Sequence, residues 1–214
     1  MYVKEYMSTN VITCTPDTLV LDAQKLMDMH NIRRLPVVDK GKLIGIITQD
    51  RIREVSPSPA TSLTVWELNY LIAKMKIKDV MVKNTVTIGP DATVEEAAAL
   101  GQKHRIGALP VVDKGKLVGI ITTTDLFRIM TEAFGFGRTY ARLHLFDCPS
   151  GQPLDDALEL IRKNGAKVKS VFSITVPGSG RPDTIIHLEG DEGKAAKIQE
   201  ALNAKGCKLD LRWH

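Results

Sequence analysis

Residues 116–125 read Lys-Leu-Val-Gly-Ile-Ile-Thr-Thr-Thr-Asp, and residues 42–51 read Lys-Leu-Ile-Gly-Ile-Ile-Thr-Gln-Asp-Arg. An apolar run that stops at a threonine and a charged side chain is a strand ending where a helix begins. The two endings differ in chemistry. A carboxylate in the first helical turn accepts hydrogen bonds, either from the helix's own N–H groups as a cap or from the donors of a ligand. Thr122, Thr124 and Asp125 form such a set. In the other ending Arg51 stands where the aspartate is expected, and a guanidinium only donates. Asp50 comes one residue early, about 100° round a helix from the required position. One ending is expected to hold a working site and the other an altered or empty one.

Other candidate chemistry is sparse. Arg33-Arg34 precedes one Leu-Pro-Val-Val run, whereas Gly107-Ala108 precedes the other. His30 and His104 occupy equivalent places in a last helical turn, where the helix dipole suffices to explain them. Cys14, Cys148 and Cys207 are odd in number and far apart, with no CxxC. Neither a disulfide framework nor a zinc site is expected, and a reducing cytoplasm fits. There is no nucleophile with a visible base, no metal-ligand cluster and no P-loop, so no catalytic residue and no metal are assigned. A net charge of +4 with interspersed signs argues against a dedicated nucleic-acid binder. No apolar run approaches the roughly 20 residues of a membrane span.

The elements that place these residues come in two copies. Shifted by 74, residues 3–51 align with 77–125 without a gap, and 24 of 49 positions are identical. Such self-similarity means one structural unit written twice. In each copy a β-prone piece (Val11-Ile12-Thr13, Val86-Thr87-Ile88) precedes a Pro-Asp break and a helix. Thr93 and Glu96 have capping-box spacing; Asp17 or Thr18 would cap the first helix. The helices are expected to end near Asn31 and Gly107. Leu-Pro-Val-Val then forms a strand, Asp-Lys-Gly-Lys a hairpin turn with Gly41 and Gly115 at positive φ, and Leu-(Ile/Val)-Gly-Ile-Ile-Thr the return strand. A second helix follows. The unit is βαββα, and residues 65–72 read as a helix leading into the second copy.

The pattern changes after Phe134-Gly-Phe-Gly-Arg138. Four stretches alternate with period two: Leu143 and Leu145; Phe172, Ile174 and Val176; Ile186 and Leu188; Leu209, Leu211 and Trp213. Leu154, Ala157, Leu158 and Ile161 mark one amphipathic helix, and Ala195, Ile198 and Leu202 another. The order is βαββαβ, a ferredoxin-like unit. His144 and His187 fall on its polar face, where an exposed or interface surface is expected.

The motifs Met…Thr-x-x-Pro-Asp, Ile-x-x-Leu-Pro-Val-Val-Asp and Gly-Ile-Ile-Thr-x-x-Asp, in order and twice, resemble a pair of CBS domains (a Bateman module) over roughly 1–132. The expected fold class is α/β (α+β), with CBS units at 1–62 and 63–136. The resemblance implies a cleft for an adenosine-containing ligand: AMP, ADP, ATP or S-adenosylmethionine, magnesium undetermined. In it Asp125 would accept both ribose hydroxyls with help from Thr122 and Thr124. Arg33 and Arg34 would reach the phosphates, crossing from the first unit because the second has Gly107 and Ala108. Thr85, Val86, Ala108 and Pro110 would contact adenine. Residues 137–214 resemble an ACT domain, with Asp147 and Gly151 in the turn where that family binds amino acids. The order of domains resembles the acetoin-utilisation accessory proteins.

These resemblances imply a non-catalytic, homodimeric cytoplasmic sensor reporting to an unidentified regulated protein, with no nucleic-acid or membrane partner. An interaction scaffold indifferent to ligand, or a sensor acting through the ACT-like segment, is the alternative.

Overall fold

Lys40-Gly41 and Lys114-Gly115 take positive φ at both residues, 47° and 81° in the first pair and 48° and 79° in the second. This two-residue turn matches the twist of antiparallel strands, and it folds each Leu-Pro-Val-Val…Gly-Ile-Ile-Thr stretch into a hairpin. In the computed structural model, which describes residues 1–55, 70, 72–134, 141–147, 153–175, 182–189 and 192–213, the hairpin strands are β1 (Arg34–Asp39) with β2 (Lys42–Thr48), and β3 (Ala108–Asp113) with β4 (Lys116–Thr122). They form one sheet in the order β1-β2-β4-β3. Registers are equivalent, Leu35 facing Ile47 and Leu109 facing Ile121. All four of these side chains are buried.

Helices of this unit include α1 (Val3–Tyr6), α2 (Val20–Met29), α3 (Gln49–Val55), α4 (Ile77–Val80), α5 (Val94–His104) and α6 (Thr123–Ala133), the last running past the unit's end. Compact units cover Met1–Phe127 and Arg128–His214. Thr93 and Glu96 make the expected capping box: Glu96 N–H donates to Thr93 Oγ1 at 3.1 Å, and Thr93 N–H to a Glu96 carboxylate oxygen at 2.7 Å.

The first copy departs from expectation at its helix cap. Leu19 is the N-cap of α2 and contributes no side-chain bond. Thr18 Oγ1 instead accepts from Thr15 N–H at 3.0 Å. Asp17 is drawn to the ammonium groups of Lys78 and Lys76, 2.9 and 3.0 Å away. At the helix ends, Asn31 takes φ 50° as expected, but its counterpart is Arg105 at φ 54°, not Gly107. The leading β piece of each unit shrinks to one bridge, Cys14 with Val37 and Ile88 with Val111. The βαββα expectation therefore holds only with its first strand reduced to a single residue pair.

The short entry helices exchange places. The N–H groups of Val3 and Lys4 in α1 donate to Ala92 and Pro90 of the second copy at 2.8 and 2.9 Å. Val3 packs with Ile88, Ala97 and Leu109. Reciprocally, Ile77 and Lys78 in α4 donate to Thr18 and Pro16 of the first copy at 2.9 Å each. Ile77 and Val80 join the core of Val20, Leu35 and Ile47. The paired ion contacts are equivalent too, Lys4 with Asp91 and Lys78 with Asp17. Each core thus contains a helix from the other copy, and neither closes alone.

The second unit contains β5 (Ala141–Asp147), α7 (Pro153–Lys163), β6 (Lys167–Thr175), β7 (Pro182–Glu189), α8 (Glu192–Ala204) and β8 (Lys208–Trp213). The order βαββαβ and the antiparallel sheet β6-β7-β5-β8 are those of the split βαβ arrangement. Leu143, Leu145, Ile186 and Leu188 form the core with Ala157, Ile161, Ile198 and Leu202 of the helices. Phe172 and Ile174 do not join them. They pair with Ile185 and Asp183 on the other face of the sheet, and Ile174 is half exposed. The helix expected over 65–72 and the turn through Cys148 and Gly151 lie largely or wholly outside the described residues.

Cysteine behaviour differs from expectation. Cys14 is free and buried, whereas Cys207 is disulfide-bonded. Among the described residues no helix is long and apolar enough to cross a membrane.

Candidate ligand cleft between the two repeats

The strand β4 delivers Thr122 to the mouth of a cavity of about 580 Å³ within the first unit. There the strand stops and α6 starts. The turn is locked by a reciprocal box. Asp125 Oδ2 accepts from Thr122 N–H at 2.9 Å and from Thr122 Oγ1 at 2.8 Å, and Asp125 N–H donates to Thr122 Oγ1 at 3.4 Å. Asp125 therefore caps α6. The same box fixes its carboxylate at the cavity wall, so capping and presentation to a ligand are compatible.

Arg33 and Arg34, at the start of β1, line the same cavity. No hydrogen bond or ion pair engages either guanidinium among the described residues. Cations left without partners beside one capping carboxylate make the cavity suited to a ligand that carries an anion and hydroxyl donors. The polar wall is extended by Ser8 and Asn10, the apolar wall by Val11, Ile12 and Pro36.

Five of the expected positions thus come together: Thr122, Thr124, Asp125, Arg33 and Arg34. Four do not. Thr85, Val86, Ala108 and Pro110 are absent from the lining. The residues 74 positions earlier, Val11, Ile12, Arg34 and Pro36, line it instead. Ala108 and Pro110 are buried in β3, and the Thr85 hydroxyl turns to the Val82 carbonyl at 3.4 Å. The cleft is shared between copies, with one copy's helix start facing the other's strand start. Self-similarity alone gives no signal for that choice, since either copy satisfies the pattern.

The equivalent ending in the first copy is built differently. Arg51 N–H donates to Thr48 Oγ1 at 3.1 Å, half of a box that an arginine cannot complete. Its Nε donates to the Val80 carbonyl at 3.2 Å, and an Nη to Glu54 at 3.1 Å. The side chain is spent on fastening α4 and its own helix.

In the second unit, Asp147 ends β5 and Gly151 lies outside the described residues. The polar face holds a correction. His187 is buried rather than exposed, at 4%; its Nδ1 lies 2.9 Å from Ser170 Oγ, and its ring lies beside Phe172. His144 Nε2 lies 3.0 Å from Asp183. Among the described residues no group of His, Cys, Asp or Glu could hold a metal ion.

The CBS-domain family model matches this chain twice, over residues 3–58 and 77–132. A CBS domain-containing protein of Dictyostelium discoideum is 37% identical over 60% of this chain and 90% of its own length. Inosine-5'-monophosphate dehydrogenase of Korarchaeum cryptofilum is 32% identical over 73% of this chain, which spans only 30% of that enzyme. Among solved structures, a Vibrio cholerae protein named for acetoin utilization (AcuB) superposes with a TM-score of 0.52 at 32% identity, over 62% of this chain and 91% of that one. A CBS domain pair in complex with 5'-methylthioadenosine and S-adenosyl-L-methionine superposes with the same TM-score and identity, over 62% and 97%. The protein CBSX2 in complex with AMP gives 0.51 at 27% identity, over 61% and 96%.

Proposed function

The chain belongs to the CBS-domain family, and from that membership we propose that it is a non-catalytic regulatory sensor whose Asp125 cleft binds an adenine nucleotide. The observation that carries the proposal is the convergence of Thr122, Thr124 and Asp125 from one repeat with Arg33 and Arg34 from the other. A carboxylate held rigidly by a threonine accepts a ribose diol. Two guanidinium groups in the cleft wall complement phosphate. Val11, Ile12 and Pro36 supply apolar surface for a base. Solved CBS-domain neighbours in complex with S-adenosyl-L-methionine, 5'-methylthioadenosine and AMP support the ligand class.

The βαββαβ unit over residues 137–214 is, in this proposal, an ACT-like module that contributes a second signal. Boundaries at 1–62 and 63–136 for the two CBS units, homodimerisation, and a role in acetoin utilisation suggested by the AcuB neighbour belong to the same reading. Ligand would act by its differential affinity for two arrangements of the pair, reported to a regulated protein.

Calorimetric titration with AMP, ADP, ATP and S-adenosylmethionine tests it. One site per chain is expected, weakened severely by Asp125→Ala. Because Asp125 also caps α6, the variant's unfolding is followed in parallel, so that loss of binding is read on folded protein. No heat from any of the four ligands would sink the proposal.

A further inference from the structure

The two copies differ most sharply where they face each other. The first has Arg33-Arg34 and the second Gly107-Ala108. The guanidinium of Arg34 lies directly over Gly107. A Cβ built on Gly107 would come within 2.7 Å of its Nη2 and 3.6 Å of Thr123 Oγ1. Gly107 does not take a positive φ, so its backbone does not need glycine. What needs glycine is the space above it.

We propose that Gly107 is the residue that determines whether this cleft reads an anion: by lacking a Cβ it lets Arg34 of the opposite repeat settle beside Thr123 at the start of α6. The inference rests on the adenine-nucleotide reading of the cleft and narrows it to ligands with a phosphate, in preference to neutral adenosine compounds. Three observations meet here. Arg34 has no hydrogen bond or ion pair among the described residues, and its guanidinium lies against Gly107. Thr123 opens α6, where backbone N–H groups already favour negative charge. An arginine at position 107, where the first copy has Arg33, would set like charges against each other, so the residue that faces Arg34 is best neutral. Gly107 is a positioning residue: it need touch no ligand to act.

The geometry makes a clean test available. The atom a new Cβ would meet is the far end of a flexible side chain, so Gly107→Ala displaces the guanidinium without disturbing the backbone. The wild type, Gly107→Ala, Arg34→Ala and the double variant, as full chains, are titrated with AMP and with neutral 5'-methylthioadenosine. Loss of one charged hydrogen bond corresponds to about a ten- to hundredfold fall in affinity. Gly107→Ala is expected to weaken AMP by that factor and to leave 5'-methylthioadenosine within about twofold. Added to Arg34→Ala it is expected to do nothing more, since both act through one group. Wild-type affinity for AMP in Gly107→Ala, or an additive loss in the double variant, overturns the role of Gly107 while leaving the cleft assignment standing. Equal loss of both ligands shows that the alanine blocks the cavity and also overturns it. A wild type that binds neither compound overturns the nucleotide reading and this inference with it.

Discussion

Met7 packs onto the backbone of Gly119, and Met81, its equivalent 74 residues later, packs onto Gly45. Each contact joins a segment of one repeat to the return strand of the other. A Cβ on Gly45 would lie 2.8 Å from the Val82 carbonyl and 2.9 Å from Met81 Sδ. The carbonyl belongs to a reciprocal backbone pair, Ile46 with Val82 at 3.0 and 2.9 Å, and cannot yield without breaking it. Gly45→Ala should therefore destabilise the first unit by about 1–3 kcal/mol. Denaturant unfolding monitored by hydrogen exchange in β2 reads the effect. An unchanged midpoint would show that the exchanged segment is only loosely seated.

Arg51 separates the two helix starts. Arg51→Asp would supply the carboxylate that Thr48 lacks and release the bond to the Val80 carbonyl. The outcome expected from calorimetry is a second site per chain for a neutral adenosine compound. That site should show no preference for AMP, because Gly107 and Ala108 bring it no cation. A stoichiometry still at one would mean that the sister cleft is closed by more than Arg51.

Asp17 holds the exchanged helix α4 electrostatically. Hydrogen bonds from Lys78 and then Lys76 keep its carboxyl below the usual aspartate value, and Asp17 in turn raises the Lys78 ammonium. A carboxyl depressed in the fold contributes stability above its unfolded pKa and loses it as pH falls through the folded value. The raised lysine contributes below its unfolded pKa and loses it as pH climbs through the folded one. Asp17→Asn should thus differ from wild type near neutrality and converge with it in acid. All three groups are exposed, so the difference should be small and should shrink in high salt. A gap that persists in acid would point to packing, not charge.

Burial pushes the Cys14 thiol up to about 11. Its neutral form is the one the core accepts, so any contribution to stability is present below the unfolded thiol value and fades as pH rises toward 11. Folded protein should leave Cys14 unalkylated by iodoacetamide at pH 8, with labelling appearing only in denaturant; peptide mapping after digestion distinguishes the sites. Rapid labelling of native Cys14 would contradict the packing around it.

How much of this was legible depended on how local the cause was. The Lys-Gly turns, the Thr93–Glu96 box and the acceptor chemistry of Asp125 each depend on residues within a few positions, and the sequence displays them. The exchange of α1 and α4 is different. A gapless 74-residue repeat looks the same whether a segment docks on its own copy or on the other, so Met7 and Met81 carry no mark of their partners. The same ambiguity leaves Thr85, Val86, Ala108 and Pro110 out of a cavity that is lined instead by their counterparts Val11, Ile12, Arg34 and Pro36. Asp17 reads as a helix cap until two lysines from a distant segment arrive. His187 reads as an exposed or interface residue because period-two alternation separates two faces without saying what covers each; in the fold it is buried, with Phe172 beside it and Ser170 at its ring nitrogen.

The cleft is built wholly from residues of the first unit, whereas the second has its own core of Ile161, Ile186, Ile198 and Leu202. Ile198 is fully buried on α8. Ile198→Ala removes three methyl-equivalents there and should cost that unit about 2–5 kcal/mol, the spread reflecting how far the helix can settle into the void. Hydrogen exchange should accelerate in β5, β7 and β8 at a denaturant concentration that leaves β1 to β4 protected. Nucleotide affinity measured on the same variant at 25 °C should stay within about twofold, since every lining residue belongs to the first unit. A matching loss of protection in both sheets would show that the units unfold as one cooperative body. A loss of affinity on an otherwise folded variant would show that the second unit tunes the cleft.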